Sequence, residues 1–375
     1  MVGERLDERY FGYSAADRPA PVAVPATGRR VYVAPANFAG QGYAWSRALE
    51  RHVDDLTAVS MAPVRDGGFG FRVDYPVPYP VYAASRRWQR AQRQQVLSYT
   101  HVVLEAGRPL FPRLGAGTVA AEVAELRSNG LRVVMLFHGS DIRSPDRHAA
   151  SSRWSPFHEN GWEEVPRLRE IAAMNKATAA DLGVPVLVST PDLLLDVPWA
   201  RWCPVVVEAE RWASGSPLLE RERPLVVHAP SRGVVKGTAL VEPALRELDA
   251  AGVIEYRPVS GVPNDAMPAL YGEADVVVDQ FRIGSYGAAA CEALAAGRVV
   301  VSHVDDQVRS AVREASGLDV PIVEATPDTL SDVLRRIAGD REAFREVASR
   351  GPQFVDTLHG GRFSARVLAE TLDVL

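Results

Sequence analysis

The sequence has few cysteines, almost no lysine and no long hydrophobic run. Two cysteines, Cys203 and Cys291, cannot build a disulfide framework and suit a reducing compartment. No apolar stretch approaches the roughly 20 residues that span a bilayer, and the N-terminus has no signal-peptide core. A net charge of -5 gives no indication of a nucleic-acid partner. We therefore expect a cytoplasmic protein that does not bind nucleic acid.

Metal-binding patterns are also missing from the sequence. The eight histidines show no HxxxH or HExxH spacing, and the two cysteines do not form a CxxC pair. These spacings are the ones that place several ligands around one zinc ion. We therefore predict no metal site.

The 375 residues are enough for two domains, and 47% hydrophobic and 24% charged residues are typical of globular chains. Short apolar strands such as RVYVAP and ADVVVDQ alternate with helix-length segments, which predicts doubly wound parallel sheets with helices on both faces. The pattern restarts after a proline-containing linker from Val188 to Trp212. We predict an α/β protein with two Rossmann-like domains facing a central cleft: an arm over 1–29, domains over 30–200 and 201–358, and a last helix over 359–375 that could cross back to the first domain.

A glycine-rich turn precedes an alanine-rich helix in DQFRIGSYGAAACEALAAG, from Asp279 to Gly297. The turn follows an apolar strand, so the free N–H groups and the positive dipole end of the helix face the edge of the sheet. Phosphate is the commonest ligand of such a turn, and Glu292 in the second helical turn could reach a ribose. The alternative is a helix packed tightly on its sheet, with Glu292 merely exposed.

A short basic loop follows the strand in VVHAPSRGVVKGT, from Val226 to Thr238. Arg232 and Lys236, one of only two lysines in the chain, would place two cations at the carboxyl edge of the second sheet. Such cations stabilise the negative charge that develops on a diphosphate leaving group. The alternative is a solvated loop.

A polar strand end occurs in LFHGSDIRSPDRH, from Leu136 to His148. His138 ends the apolar strand and is followed by a glycine and by Asp141, which predicts a site that faces the cleft. The alternative is a packed, hydrogen-bonded histidine.

Gly40 and Gly42 open a helix after the first strand, in PANFAGQGYAWSRALE. The spacing is not GxGxxG, so a dinucleotide cofactor fits poorly. The turn could instead lie under a sugar or a phosphate across the cleft.

A basic segment, SRRWQRAQRQQVLS, runs from Ser85 to Ser98 and contains Trp88 and no acidic residue. It could contact anionic lipid at the inner face of a membrane or an anionic acceptor. The alternative, which we favour, is a solvated helix face.

Taken together, residues 30 to 375 resemble a GT-B glycosyltransferase of the family 4 type. The most specific segments are HAPSRGVVKGT and ADVVVDQFRIGSYGAAACEALAAGRVVV, supported by FHGSDIR, VSTPDLL and NFAGQG. The resemblance implies transfer of a sugar from a nucleotide-diphosphate sugar, with UDP or GDP favoured, to a hydroxyl acceptor, with retention of configuration and without a metal or cofactor.

The resemblance also implies roles for particular residues. Glu292 holds the ribose, Lys236 and less surely Arg232 neutralise the diphosphate, and His138 contacts the donor sugar. The turn at Gly40 and Gly42 closes over the diphosphate. The remaining donor-side residues are Val262 beside the base and the turn residues Gly284, Ser285, Tyr286 and Gly287; Asp141 and Arg143 are placed on the acceptor side.

Position 284 departs from the family pattern. Many members carry a glutamate eight residues before the helix glutamate, and this chain has Gly284 there. Backbone groups of Gly284 to Tyr286 could do that work, Asp279 or Gln280 could substitute, or the donor differs.

Three functions remain open from the sequence. The first is a glycosyltransferase with front-face transfer, in which the departing phosphate oxygen helps to accept the proton of the acceptor, because no second carboxylate is placed as a nucleophile. The second is a nucleotide-sugar epimerase on the same architecture, and the third is a silent sugar-nucleotide-binding protein. The long polar loop from Ser144 to Glu164 is expected to shape the acceptor side.

Overall fold

The structure, a computed structural model, describes residues 9–158 and 162–374. Within them the chain forms two α/β units, each built on a sheet in which every pairing is parallel. The strands are β1 (Arg29–Ala34), β2 (Leu56–Val64), β3 (Tyr75–Pro78), β4 (His101–Glu105), β5 (Arg132–Phe137), β6 (Val186–Val188), β7 (Arg201–Trp202), β8 (Leu225–His228), β9 (Glu255–Pro258), β10 (Val276–Val278), β11 (Val299–Ser302) and β12 (Val323–Glu324).

The strand order places both sheets in the doubly wound class. The first unit has seven strands in the order β3-β2-β1-β4-β5-β6-β7, and the second has five in the order β12-β11-β10-β8-β9. Because all strands of a sheet run the same way, the loops that follow them gather at one edge, where ligands of such sheets bind. The predicted fold class of two Rossmann-like units is confirmed.

Helices connect the strands in both units. The longer ones are Gln41–His52, Arg86–Val96, Val119–Ser128, Val165–Leu182, Thr238–Ala250, Ala288–Ala295, Asp306–Ser316, Leu330–Gly339, Arg341–Ser349 and Arg362–Leu372. Shorter helical segments are Phe38–Gly40, Tyr79–Ala84, Pro145–Ser151, Pro156–His158, Pro191–Leu195, Ala209–Trp212, Gly233–Lys236, Met267–Glu273, Gly351–Phe354 and Val355–His359.

Each sheet is covered on both faces, which is why its strands are runs of consecutive apolar residues. In β1, Val31 and Val33 pack into one core while Tyr32 and Ala34 pack into the core on the opposite face. In the second sheet Val227 and Val226 divide in the same way. Alternate side chains of a strand point to opposite faces, so a sheet with two dry faces needs apolar residues at every position.

The chain crosses between the units near residue 203 and again near its end. Strand β7 pairs with β6, so the first sheet extends to Trp202, past the expected boundary at residue 200 and into the expected linker. The last helix, Arg362–Leu372, packs on helix Gln41–His52 of the first unit, and Leu49 and Leu368 are both buried there. The C-terminal segment therefore ties the two units together.

Candidate functional site

A pocket lies between the two units at the edges where their strands end. The first unit contributes the turn after β1, including Gly40 and Gln41. The second unit contributes Arg211 and Glu292. The structure thus brings two segments that the sequence singled out, about 250 residues apart, to opposite walls of one pocket.

The turn after β1 is held in a conformation that side chains rarely adopt. Asn37, Ala39 and Gly40 all have positive φ angles, of 59°, 50° and 73°. The Asn37 side chain fixes the turn, because Oδ1 accepts from the backbone N–H of Tyr43 (3.0 Å) and Nδ2 donates to the backbone oxygen of Arg72 (2.9 Å). Gly40 lines the pocket, whereas Gly42 is buried and a Cβ there would lie 3.0 Å from a carboxylate oxygen of Glu105. Gly42 therefore serves close packing instead of lining the pocket.

Glu105, which the sequence did not single out, ends β4 directly behind this turn. Its carboxylate is fully buried and accepts from the backbone N–H groups of Ala36 and Asn37 at 3.2 Å. Nε2 of His138 lies 3.1 Å from Oε1, and the His138 ring packs edge-on against Phe38. The one signal in the sequence was an acidic residue closing an apolar strand, HVVLE.

Asp141 and Arg143, which were expected on the acceptor side, both have partners inside the first unit. The carboxylate of Asp141 accepts from the backbone N–H groups of His138 and Gly139, so it holds the strand-end turn. Arg143 is buried and pairs with Asp192 at 2.5 Å. Burial opposes ionisation of Asp192, but Arg143 and the neighbouring hydroxyls of Thr190 and Ser285 outweigh it, and the pKa of Asp192 is lowered. This ion pair lies at the seam between the units.

The turn Gly284–Tyr286 is buried beneath the first unit. Nε2 of His148 lies 3.1 Å from the backbone oxygen of Ile283, and Arg282 donates to the backbone oxygens of Trp154 and Ser155 at 2.9 and 3.2 Å. The Tyr286 hydroxyl points into the core and lies 3.2 Å from Nε2 of His359. The expected ligand-facing part of this turn is therefore limited to the half-buried Gly287 and the helix that follows.

The long polar loop contacts the second unit, as far as residues 144–158 and 162–164 show, and its expected role on the acceptor side stays a prediction. Arg153 pairs with Asp328 of the second unit, and Glu164 pairs with Arg232 at 2.5 Å. Residues 159–161 of the expected loop lie outside the described residues. Residues 144–158 of the loop therefore cover the glycine turn.

Helix Ala288–Ala295 presents one face to the pocket. Ala288, Ala289 and Glu292 are half-buried, whereas Ala290, Cys291 and Ala293 to Ala295 are buried against the sheet. Positions 288, 289 and 292 share a face because three and four residues make one helical turn. Burial raises the pKa of Glu292 to about 7; the charges of Arg211 and Lys236 oppose this rise, and Asp279 adds to it.

The cations expected at the diphosphate both have acidic partners. Lys236 pairs with Asp279, whose second oxygen is buried without a hydrogen-bond partner among the described residues. Arg232 lies at the surface, where its side chain is half exposed and contacts Glu164. The positive charge of Lys236 opposes the rise in the pKa of Glu292, so Lys236 lies within electrostatic range of that carboxylate.

Both residues that could substitute for the missing glutamate already make contacts, although one carboxylate oxygen of Asp279 has no hydrogen-bond partner among the described residues. Asp279 is occupied by Lys236, and the side-chain amide of Gln280 donates to the backbone oxygen of Ser285. Asp305 lies beside Gly284. A Cβ atom added to Gly284 would overlap the carboxylate of Asp305.

Arg211 and Asn264 were also missed by the sequence reasoning. Nη2 of Arg211 donates to the backbone oxygen and to Oδ1 of Asn264, each at 2.8 Å, and both residues line the pocket. Val262, expected beside the base, lies on the same loop and is half-buried. Arg211 lies in the segment that the sequence analysis assigned to the linker, and no pattern there indicated a role in the pocket.

The basic helix does not present Trp88 to a membrane. Trp88 is buried, and its indole Nε1 donates to the hydroxyl of Tyr75 at 3.1 Å. Arg86, Arg87 and Arg90 lie on the exposed face. Over the described residues no helix is long and apolar enough to cross a bilayer, and no three acidic, histidine or cysteine side chains are grouped to hold a metal ion.

Comparisons with known proteins identify the fold. No family model matches the sequence, and no curated protein matches it. Among solved structures, the chain is similar to sucrose-phosphate synthase from Thermosynechococcus elongatus, with TM-score 0.56, 11% identity and coverage of 91% of this chain and 98% of that one. It is similar to Anabaena HepE in complex with UDP-glucose, with TM-score 0.58, 11% identity and coverage of 92% and 100%.

The catalytic domain of starch synthase IV from Arabidopsis thaliana, bound to ADP and acarbose, matches with TM-score 0.55, 11% identity and coverage of 92% and 98%. These neighbours are GT-B glycosyltransferases. The chain therefore has the GT-B fold, as the sequence resemblance implied.

Proposed function

We propose that the protein is a retaining glycosyltransferase that moves a sugar from a nucleotide-diphosphate sugar to a hydroxyl acceptor without a metal. The observation that carries the proposal is the shared pocket of Gly40 and Glu292, at the strand-end edges of two GT-B units. In this arrangement Glu292 accepts hydrogen bonds from the ribose hydroxyls. The diphosphate then lies toward Gly287 and the N-terminus of the helix, where free N–H groups and the helix dipole favour an anion.

Lys236 supplies the main positive charge beside the diphosphate. Its pairing with the buried carboxylate of Asp279 orients the ammonium group in a half-buried site. As the bond between the sugar and the diphosphate breaks, negative charge grows on the phosphate oxygen, and a fixed cation stabilises that charge. Arg232 contributes less, because its side chain is half exposed and is screened by water.

His138 and Glu105 position the donor sugar from the first unit. Glu105 has its oxygens engaged by two backbone N–H groups and by His138, so it is not available as a nucleophile. This supports front-face transfer, with the departing phosphate oxygen helping to accept the proton of the acceptor hydroxyl. Glu105 is thus a positioning residue that orients the His138 ring.

The donor series we favour is UDP or GDP, with UDP first. HepE is a glycosyltransferase-fold protein seen with UDP and with UDP-glucose, and starch synthase IV is seen with ADP. The acceptor is a glycan, a glycolipid or a small molecule with a hydroxyl group. The proposal includes a cytoplasmic location, because both cysteines are free and buried.

One set of observations favours a second candidate, a silent sugar-nucleotide-binding protein. The turn Gly284–Tyr286 is closed under the first unit, and the chain lacks the glutamate that many relatives carry at position 284. A silent protein would bind the donor without turning it over.

Two measurements test the proposal in sequence. A thermal-shift panel of UDP, GDP, dTDP and ADP with their sugar conjugates, in EDTA, should show stabilisation by one nucleotide series, by about 2.7 kcal/mol at a hundredfold excess over its dissociation constant. Donor hydrolysis measured with the ligand found should then show turnover. Binding without hydrolysis would favour the silent protein, and no shift at millimolar concentration would contradict both candidates.

A further inference from the structure

A glycine-rich loop of the first unit, Arg65–Asp74, reaches across the cleft to the pocket. It joins β2 to β3 and carries the sequence RDGGFGFRVD. The backbone N–H of Asn264, in the second unit, donates to the backbone oxygen of Phe69 at 2.9 Å. Phe71 and Arg72 line the pocket that contains Glu292. The loop is therefore a wall of this pocket, contributed by the opposite unit.

The end of the loop near Asp74 is anchored, and two glycines near its tip border open space. The carboxylate of Asp74 accepts from both the backbone N–H and the hydroxyl of Ser60 at 2.8 Å, and Arg72 is held through its backbone oxygen by Asn37. Gly67 and Gly70 have φ angles of 74° and 70°, and a Cβ at either would meet open space. The anchored end thus fixes the position of the neighbouring Phe71.

Phe71 presents an aromatic ring to the pocket. Its atoms lie 3.5–3.8 Å from the position that a Cβ on Gly40 would take, so the ring packs over the glycine of the pocket turn. Phe71 is half-buried, and its neighbour Phe69 has its ring centroid 6.0 Å away, outside the pocket lining. Glu292, Arg211 and Asn264 supply polar groups on the facing wall.

We propose that Phe71 stacks on the nucleobase of the donor, so that the first unit contributes a wall to the base site. The inference rests on the proposed function, because Glu292 at the ribose places the nucleoside in the pocket that Phe71 lines. A planar base offers a π-face to the ring, and stacking of this kind contributes to binding affinity without selecting one base. The Asn264–Phe69 backbone bond holds the loop against the loop that carries Val262.

The test compares ligands with and without a base on three variants. Dissociation constants for UDP, GDP and ADP, and for pyrophosphate and ribose 5-phosphate by saturation-transfer NMR at millimolar concentration, are measured on the wild type, Phe71→Leu, Phe71→Tyr and Phe69→Leu. Phe71→Leu should weaken the best nucleotide at least about fivefold, the lower end of aromatic stacking. It should leave the base-free ligands within about twofold. Phe71→Tyr should retain nucleotide affinity, and Phe69→Leu, which removes a ring outside the pocket, should change it less than twofold.

The outcomes separate the inference from the proposed function. A wild type that binds neither these three nucleotides nor dTDP overturns the proposed function and the inference with it. A wild type that binds a nucleotide, with Phe71→Leu unchanged or weakening pyrophosphate and UDP equally, overturns the inference alone. Thermal unfolding of each unliganded variant establishes that it is folded before binding is compared.

Discussion

Gly284 and Asp305 pack directly against each other. The backbone N–H of Asp305 donates to the backbone oxygen of Gly284 at 2.9 Å, and the Asp305 carboxylate fills the space where a side chain at 284 would begin. Gly284 also has a φ angle of 68°, which favours glycine. The lack of a side chain at position 284 is therefore structurally coupled to Asp305, 21 positions later, because both side chains would need the same space.

This coupling predicts a non-additive pair of substitutions. Gly284→Glu alone should lower the free energy of unfolding by more than the roughly 1–2 kcal/mol that a left-handed backbone costs an ordinary residue, because its side chain would displace Asp305. Adding Asp305→Gly should recover part of that loss. A double-mutant cycle in urea measures the interaction, and additive effects would contradict the shared site. Gly287→Ala, with φ −141° and open space at the Cβ position, is the control and should cost little.

Glu292→Gln should weaken donor binding and flatten its pH dependence. Ribose hydroxyls stabilise the ionised carboxylate, so affinity in the wild type should fall as pH drops below about 7, the pKa of this group. A neutral amide cannot show that change, and losing a hydrogen bond to a charged group should weaken binding about 10- to 100-fold. Calorimetric titration of the donor from pH 5.5 to 8 measures both effects. Parallel pH profiles in the two proteins would exclude a titrating Glu292.

The same substitution should change the pH dependence of stability. The pKa of Glu292 is raised by folding, so the stability it contributes is present below the ordinary carboxyl pKa of about 4.5 and is lost as pH rises through about 7. Unliganded Glu292→Gln should therefore lose less stability than the wild type between pH 5 and pH 8.

Lys236→Ala should lower turnover far more than Lys176→Ala. Lys236 lies beside the proposed diphosphate site, and losing one such electrostatic contact costs about 10²–10³ in rate. Lys176 is the other lysine of the chain and lies exposed on helix Val165–Leu182, which makes it a matched control. Initial rates of sugar transfer or donor hydrolysis report the difference. Equal rates in the two variants would remove Lys236 from the reaction, and a loss of affinity alone would favour the silent protein.

His303 should make the stability of the second unit fall at alkaline pH. Hydrogen bonds to Asp305 and Glu324, at 3.3 and 2.7 Å, raise its pKa to about 9. Stability from the protonated ring is fully present below the ordinary pKa of 6.5 and is lost as pH rises through 9. Both carboxylates are nearly half exposed, so solvent screening limits the contribution to about 1–2 kcal/mol.

The measurement is urea unfolding at pH 7 and pH 9.5. The wild type should lose more stability over this interval than His303→Gln, in which the side chain does not titrate. His158→Gln is the control, because His158 is exposed and its ring Nε2 lies 3.1 Å from a backbone oxygen, that of Ser152, and not from a carboxylate. A drop of equal size in all three proteins would assign it to other groups.

Much of the fold could be predicted because the relevant signals are local. Runs such as RVYVA and LVVH are typical of strands with two covered faces, and their alternation with helices leaves few topologies. Four strands, β2, β3, β6 and β7, were missed. Two of them are weak as local patterns, since β3 contains two prolines and β7 is only two residues long. Neither carries a periodic pattern, and both form through pairing with distant segments.

The candidate site also has a part that local patterns predict and a part that depends on contacts between distant segments. The sequence alone was enough to place Glu292 one turn into a helix after a strand, because spacing sets which residues share a helix face. Three-dimensional packing was needed to bury Gly284–Tyr286 under the first unit and to pair Arg143 with Asp192. It was also needed to place Glu105 behind the Gly40 turn and Phe71 in the pocket wall. Those partners lie tens to hundreds of residues apart, and their meeting depends on how two sheets and the last helix pack together, which no local pattern encodes.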